Sequence, residues 1–467
     1  MDLPSSPQGF WNRHRRVWLW LFLTWTMLYL DRAVTGPVVS WMIENEVSFM
    51  AGAPMPHALG GVIGGMFFAG YMLTQFPAGY LGDKYGRKPL VVISAVWSGV
   101  ATFLTVLASS LTVFVAARVL TGLGEGAYYS NDRALIHAVT PPEKRGMGMG
   151  VVFVGLSLGL TLATIGTPFV LEWAAGIWGA ERAWPVPFFL LAIPTLLVAY
   201  GVWRYVDTEK GRIVPAAKRL LAYSAVFLAV IMATYIATVE MGLSGWAQAV
   251  LVTLAALGLI LIIYMMLGKS SAPVLHDRNL VLMYLSAIPI LYTLWFFAFW
   301  SLLVVSEAAS VGLSGAAVYA ALFCVANAIG YPLGGFIADR ARSNGGGKWP
   351  YLALCGLVAV LVAALGFYIS IGGHDVTVLG GLLFMMGVPF AGMQTVHMTM
   401  TADLAPPEMM AQAFGMWNLV AEVGAVLSPV MAGTLRDLTG DWTLSIYVNA
   451  ALLLLSLSLV AMIRKRG

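Results

Sequence analysis

Predominantly apolar runs of about 20 residues or more recur along nearly the whole chain. They lie near 17–43, 57–81, 89–109, 111–138, 147–172, 184–206, 218–239, 245–268, 279–306, 314–338, 349–371, 376–404, 409–434 and 442–463. As helices rising 1.5 Å per residue, such runs cross the roughly 30 Å of a bilayer's hydrocarbon. No soluble core accommodates that many fully apolar helices, so the expected class is an all-α membrane protein with fourteen transmembrane helices. With 60% hydrophobic and 10% charged residues, the chain is far more apolar than a soluble domain. Cys324 and Cys355 sit inside apolar runs without metal-type spacing, which argues against a disulfide framework or a zinc site.

The net charge of +4 is no nucleic-acid footprint, because the basic residues collect in alternate loops. Arg13, Arg15 and Arg16 precede the first run. Lys84, Arg87 and Lys88 follow the second, and Lys144 and Arg145 the fourth. Lys210, Arg212, Lys218 and Arg219 follow the sixth, Lys269 and Arg278 the eighth, and Arg340, Arg342 and Lys348 the tenth; Arg464 to Arg466 close the chain. Arg182 and Arg436 are the main exceptions on the other side. The positive-inside rule then predicts a multi-pass protein of the inner (plasma) membrane with both termini cytoplasmic. The first run is too long for a signal peptide and lacks a small-residue cleavage pattern, so it reads as a retained helix.

The chain also repeats itself. GYLGDKYGRK (79–88) follows the second run and GFIADRARS (335–343) the tenth, aligning Gly79 with Gly335 and Asp83 with Asp339. TPPEKRG (140–146) is echoed by APPEMMA (405–411). With 218–239 and 245–268 set aside as an inserted hairpin, these markers fall at equivalent places in two six-helix halves. The expected organisation is an N-terminal half (1–206), a linker carrying the hairpin (207–278) and a C-terminal half (279–467), an arrangement known among transporters.

GYLGDKYGRK resembles the loop signature of the major facilitator superfamily. YLDR, TQFPAGYLGD, RVLTGLGEGAYY and WFFAFW (295–300) together resemble its anion:cation symporter branch, which includes sugar-acid and hexuronate transporters and the vesicular glutamate and sialic acid transporters. The likeness covers most of both halves but not 206–279. It implies a major facilitator fold, no enzyme activity and no cofactor. It also implies proton-coupled symport of a small organic anion, a sugar acid or other carboxylate, by alternating access in a monomer. By the same resemblance Arg32 and Arg118 bind substrate, Asp31 and Glu125 carry the proton, and Asp83, Arg87, Asp339 and Arg340 form the cytoplasmic latches.

The residues themselves support a site. Asp31 and Arg32 stand side by side inside the first run, where a charge at the bilayer centre costs at least about 2.5–3.5 kcal/mol. Arg118 and Glu125, seven residues apart, fall two turns apart on nearly one helix face and at similar depth. Guanidinium groups suit an anionic ligand, because each offers a rigid fork of donors. The bland reading is a static ion-pair network holding the first and fourth runs together. Further candidates for substrate contact are Tyr29, Tyr71, Gln75, Asn131, Trp295, Asn327, Gln394 and Asn418, with Tyr331 and His397 behind them. Glu422 reads as a second protonation site or a buried hydrogen-bonded acid. Asp132 and Arg133 read as a gate or a snorkelling surface pair. Glycine-rich stretches such as GGVIGGMFFAG lack the Gly-Lys-Ser/Thr of a phosphate loop and suit close helix packing. Two competing functions stay open: proton-driven export of drugs or lipid-like amphiphiles, and metabolite sensing without turnover.

Overall fold

In hydrocarbon no water satisfies the backbone, so apolar runs of this length must close their own hydrogen bonds as helices. A computed structural model describes residues 12–141, 144–206, 211–267, 272–343, 347–406 and 409–464. Lys210, Lys269, Lys465, Arg466 and parts of both Pro-Pro-Glu echoes lie outside them. The helices are α1 (Arg13–Glu44), α2 (Pro56–Tyr85), α3 (Arg87–Val106), α4 (Leu111–Glu125), α5 (Tyr129–Val139), α6 (Arg145–Trp178), α7 (Ala180–Ala183), α8 (Val186–Tyr205), α9 (Ile213–Glu240), α10 (Gly245–Leu267), α11 (Ala272–His276), α12 (Arg278–Ala309), α13 (Leu313–Ser343), α14 (Trp349–Ser370), α15 (Val376–Leu404), α16 (Met410–Thr439) and α17 (Thr443–Ala461). No strand occurs among the described residues. Side-chain caps start several of them: Asp277 accepts from Leu280 N (2.9 Å) below α12, and Asp375 from Thr377 N (2.7 Å) below α15.

Among the described residues, 12 helices are long and apolar enough to cross a membrane. That is two fewer than the fourteen runs. The missing ones are α1, weighed down by Asp31 and Arg32, and the run at 111–138, which is broken into α4 and α5. Both carry the buried charges. The two helices read as an inserted hairpin, α9 and α10, pack on each other and on α2, and α10 also touches α16. Their apolar windows are only 28% and 22% buried, against 89% for α2 and 94% for α12. They therefore sit at the periphery with their apolar sides outward.

The N-terminal and C-terminal helices meet chiefly along α2 with α16 and α6 with α13. Inside the N-terminal group the crossing of α2 and α4 rests on glycine. A Cβ at Gly122 would strike the Phe67 carbonyl and come within 2.9 Å of Tyr71 N, and one at Gly70 would strike the Val119 carbonyl. This contact brings the α4 charges against the aromatic face of α2.

The break in the 111–138 run follows directly after Glu125. Gly126 ends α4, and the carbonyls freed there find partners on neighbouring helices. Thr74 Oγ1 donates to Leu123 O (2.8 Å), and Ser94 Oγ to Gly124 O (2.7 Å). Irregular backbone at membrane depth persists only when satisfied in this way.

Gly122→Val is expected to lower the thermal unfolding midpoint in detergent by several degrees, reflecting about 1–3 kcal/mol of overpacking. Gly258→Val, on α10 where an added Cβ meets nothing within 4 Å, should leave the midpoint unchanged or raise it.

Candidate functional site

The four charges singled out by the sequence do meet, and they pair crosswise. Arg32 Nε donates to Glu125 Oε2 at 2.6 Å. Arg118 Nη1 lies 3.5 Å from both Asp31 carboxylate oxygens, and its Nη2 donates to the Asp31 carbonyl at 3.2 Å. Helix α3 supplies a neutral donor to each acid: Ser98 Oγ to Glu125 Oε1 and Thr102 Oγ1 to Asp31 Oδ1, both at 2.9 Å. Asp31, Arg118 and Glu125 are fully buried and Arg32 is 4% exposed. In a low dielectric such pairs hold only because hydrogen bonds satisfy the remaining lone pairs.

The two arginines differ in how far they are committed. Arg118 is tied to Asp31 through side chain and backbone, with its guanidinium against the Phe67 and Phe188 rings (5.1 and 5.6 Å) and only its Nε without a hydrogen-bond partner. The Arg32 guanidinium lies between the rings of Tyr29 (4.4 Å) and Tyr71 (4.3 Å), and its Nη2 has no hydrogen-bond partner. Trp25, Tyr29 and Arg32 fall at i, i+4 and i+7 on one face of α1. Trp25 stacks on Tyr29 at 4.9 Å, yet sequence reading passed over it despite that spacing. Across from this face stand C-terminal residues. Trp295 stacks on Tyr29 (6.2 Å), and Asn418 Nδ2 donates to Gln75 Oε1 (2.8 Å) and lies 3.4 Å from Glu422 Oε1. Gln75 Nε2 and Glu422 Oε2 are buried without a partner.

Other expected residues are placed elsewhere. Asn131 Nδ2 donates to Ala78 O (3.1 Å) and Ala127 O (2.9 Å), so its amide locks α5 to α2 and does not face the site. Asn327, with its amide nitrogen turned toward Gly387 O (2.9 Å), locks α13 to α15. Gln394 accepts from Tyr331 OH (3.1 Å) at the wall of a separate cavity. His397 is structural: Trp417 Nε1 donates to its Nδ1 (2.9 Å), and its Nε2 lies 2.8 Å from Ser286 Oγ. Asp83 pairs locally with Arg87 (3.1 Å), which also donates to Ala134 O (3.0 Å); both contacts stay within the N-terminal helices. Asp339 and Arg340 are exposed at the end of α13. Among the described residues no group of three potential metal ligands gathers.

One network escaped sequence reading altogether. His57, near the start of α2, places Nδ1 2.6 Å from Asp437 Oδ1 and Nε2 3.2 Å from Glu307 Oε1. Asp437 also accepts from Ala58 N (2.8 Å), capping an N-terminal helix with a C-terminal residue. Arg436 Nε (2.7 Å) and Trp442 Nε1 (2.9 Å) complete Glu307, and Ser306 Oγ donates to Glu44 (2.7 Å). Arg436, an exception to the charge alternation, is thus an ion-pair partner. The network ties α1 and α2 to α12 and α16 at the end opposite Asp83.

Asp31→Leu is expected to cost about 3–5 kcal/mol by stranding Arg118, whereas Asp31→Leu with Arg118→Leu should recover most of it. Thermal midpoints of the two variants in detergent decide this. With Cys324 and Cys355 replaced by Ser, His57→Leu should speed alkylation of Ser306→Cys by a membrane-impermeant maleimide at least about tenfold, the effect of about 1.4 kcal/mol on opening.

Comparison with known proteins gives this geometry a context. The chain is 32% identical over 140 residues to a probable 4-methylmuconolactone transporter of Cupriavidus pinatubonensis, covering 30% of this chain and 32% of that one. Matches of this grade are local, covering 32%, 24% and 43% of three relatives' own length. Longer matches run over 443 residues at 24% identity with a probable sulfoacetate transporter of Cupriavidus necator (92% and 89% of the two chains) and over 428 residues at 21% with the hexuronate transporter of Bacillus subtilis (91% and 88%). Among solved structures, a bacterial homolog of the human lysosomal transporter Spinster, inward-facing and occupied, superposes with a TM-score of 0.73 at 14% identity, over 97% of each chain. A D-xylose-proton symporter gives 0.71 at 16%, over 97% of this chain and 98% of its own. At such identities the likeness is one of fold. The sequence matches the Major Facilitator Superfamily over residues 21–324 and 299–467, and the chain belongs to that family of multi-pass membrane transporters.

Proposed function

We propose that this transporter moves a small organic anion together with a proton, by alternating access around Arg32. One observation carries the reading: a buried guanidinium with an unpartnered nitrogen, held between two tyrosine rings and bonded through Nε to the Glu125 carboxylate. An incoming carboxylate or sulfonate takes the Arg32 donors bidentately. Glu125, displaced from Arg32, then faces an apolar surrounding in which its charge is costly, and it takes up a proton. Anion and proton binding are thereby linked, and the linkage is reciprocal. Formal charge agrees: Arg32 and Arg118 face Asp31, Glu125 and Glu422, two positive against three negative, so an empty site is best balanced by one proton. Asp31 and Glu422 are the other candidate proton carriers, and Tyr29, Tyr71, Gln75, Trp295 and Asn418 surround the ligand. Arg118 serves as the fixed counter-charge.

In this reading α1 and the α4–α5 pair also cross the membrane, for fourteen crossings with α9–α10 as the inserted hairpin between halves 1–206 and 279–467. Both termini face the cytoplasm at the plasma membrane, and the chain works as a monomer. The His57 network then closes the outer end. The names of the relatives, which include hexuronate and sulfoacetate transporters, support the substrate class. The apolar cavity beside Met149 and Phe153 favours the competing reading, export of an amphiphile.

Liposomes with an inward proton gradient, offered labelled glucuronate, sulfoacetate and monocarboxylates, test the proposal. Accumulation of at least one anion is expected, and dye efflux with no anion uptake would overturn it. Glu125→Gln should lose gradient-driven accumulation while keeping anion exchange. Arg32→Lys should raise the half-saturation concentration about tenfold or more, since a point charge does not replace a bidentate fork.

A further inference from the structure

The sequence pointed to a surface or gate role for Asp132 and Arg133, yet Asp132 is fully buried and the Arg133 side chain only 18% exposed. The Arg133 guanidinium is held by three rings: Phe153 at 4.2 Å, Trp25 at 4.9 Å and Tyr129 at 5.0 Å. Its acidic neighbour is largely occupied. Asp132 Oδ1 accepts from Arg133 N (2.7 Å) and Oδ2 from the Trp25 indole, leaving Arg133 Nε 3.6 Å from Oδ1. Arg133 Nε and Nη2 are buried with no hydrogen-bond partner, and Nη1 reaches only the soft acceptor Met149 Sδ at 3.7 Å. A cation desolvated this far, with donors unused, is costly unless an acceptor reaches it.

Two further features say what that acceptor is. Met149 and Phe153 line a cavity of about 500 Å³ that Tyr331 and Gln394 also line. The cavity lies near the start of α6 and the end of α15, at the end of the molecule away from His57. Arg133 does not itself line the cavity but lies behind Met149 and Phe153, and it shares the Trp25 ring with Arg32, whose guanidinium lies 6.0 Å from the same centroid. Two guanidinium groups thus share one indole, the first at the central site and the second behind the Met149 and Phe153 wall of the cavity.

We propose that Arg133 is a second anion-binding station, which receives the carboxylate or sulfonate of a small organic anion between Arg32 and the cavity, with the Met149 side chain as its movable cover. An unbranched thioether suits that role, being flexible and only weakly bonded to the group it covers. The anion's body occupies the Met- and Phe-lined cavity while its charged head displaces Met149 Sδ from Nη1. The station rests on the anion-transport reading for the direction of travel, though not for the charge it presents to the cavity.

The test uses the full chain in nanodiscs, with Cys324 and Cys355 replaced by Ser and a cysteine placed in the cavity by Met398→Cys. Its labelling rates by anionic sulfonatoethyl and cationic trimethylammonium-ethyl methanethiosulfonate are compared. Arg133→Gln should lower the anionic-to-cationic rate ratio at least about tenfold, and sulfoacetate should slow labelling with Arg133 present but not in Arg133→Gln. Arg133→Lys should retain the rate ratio and lose most of the sulfoacetate protection, which separates charge from misfolding. An unchanged ratio in Arg133→Gln, equal protection in both, or no labelling by either reagent overturns the station. Should ratio and protection behave as expected while liposomes accumulate no anion, the transport reading falls and the station stands.

Discussion

The structure turns on the crossed ion pairs between α1 and α4, Asp31 with Arg118 and Arg32 with Glu125. Charges placed this deep have no water to fall back on, so everything around them is arranged to let them reach one another. Glycines at 70 and 122 bring α2 and α4 together, and Ser98 and Thr102 of α3 complete the carboxylates. The helix break after Glu125 is tolerated because Thr74 and Ser94 collect the released carbonyls. Enlarging one of those glycines would separate the helices, and the cost would fall on the ion pairs as well as on packing.

The pairs are alike in composition and unlike in engagement, and that difference gives the proposed mechanism its direction. Arg118 binds Asp31 through three contacts, two to the carboxylate at 3.5 Å and one to the backbone carbonyl at 3.2 Å. Arg32 binds Glu125 through Nε alone; each arginine keeps one buried nitrogen unpartnered, Nη2 of Arg32 and Nε of Arg118. A ligand competing for a guanidinium displaces less at Arg32. The tyrosine rings on its faces keep the group oriented during an exchange of partners, because cation–π attraction acts through the face and leaves the donor edge free.

Much of this was legible in the sequence, and the failures have physical causes. Helical runs follow from apolarity and length, and intramembrane charges mark a site because they are too costly to be incidental. The count of apolar spans fell from fourteen to twelve at the two runs that carry the site, since the charges and glycines of function are what dilute apolarity and interrupt a helix. Asn131 and Asn327 were placed at the substrate because a lone amide in an apolar run gives no sign of whether it faces a cavity or a neighbouring carbonyl. The His57–Asp437 contact joins residues 380 positions apart, and no local pattern connects them. Trp25 was within reach, one helical spacing from Tyr29, but an aromatic among aromatics reads as core.

Where the charges lie decides which contacts can open. His57, Glu307, Arg436 and Asp437 sit at helix ends, His57 and Asp437 largely buried and Glu307 and Arg436 partly exposed. The partly exposed members of this network regain hydration on parting more readily than the central charges do, and in the proposed cycle the network is the latch at that end. Asp31, Arg32, Arg118 and Glu125 have no such refuge, so in the proposed mechanism they change partners without becoming free, an incoming anion or proton supplying the replacement. At the opposite end the contacts around the cavity are largely apolar, and the flexible Met149 thioether is the soft contact over the Arg133 guanidinium. In the proposed cycle, opening at ion pairs, exchange at the centre by substitution and opening at the far end by soft packing answer one constraint, that a charge within hydrocarbon is costly without a partner.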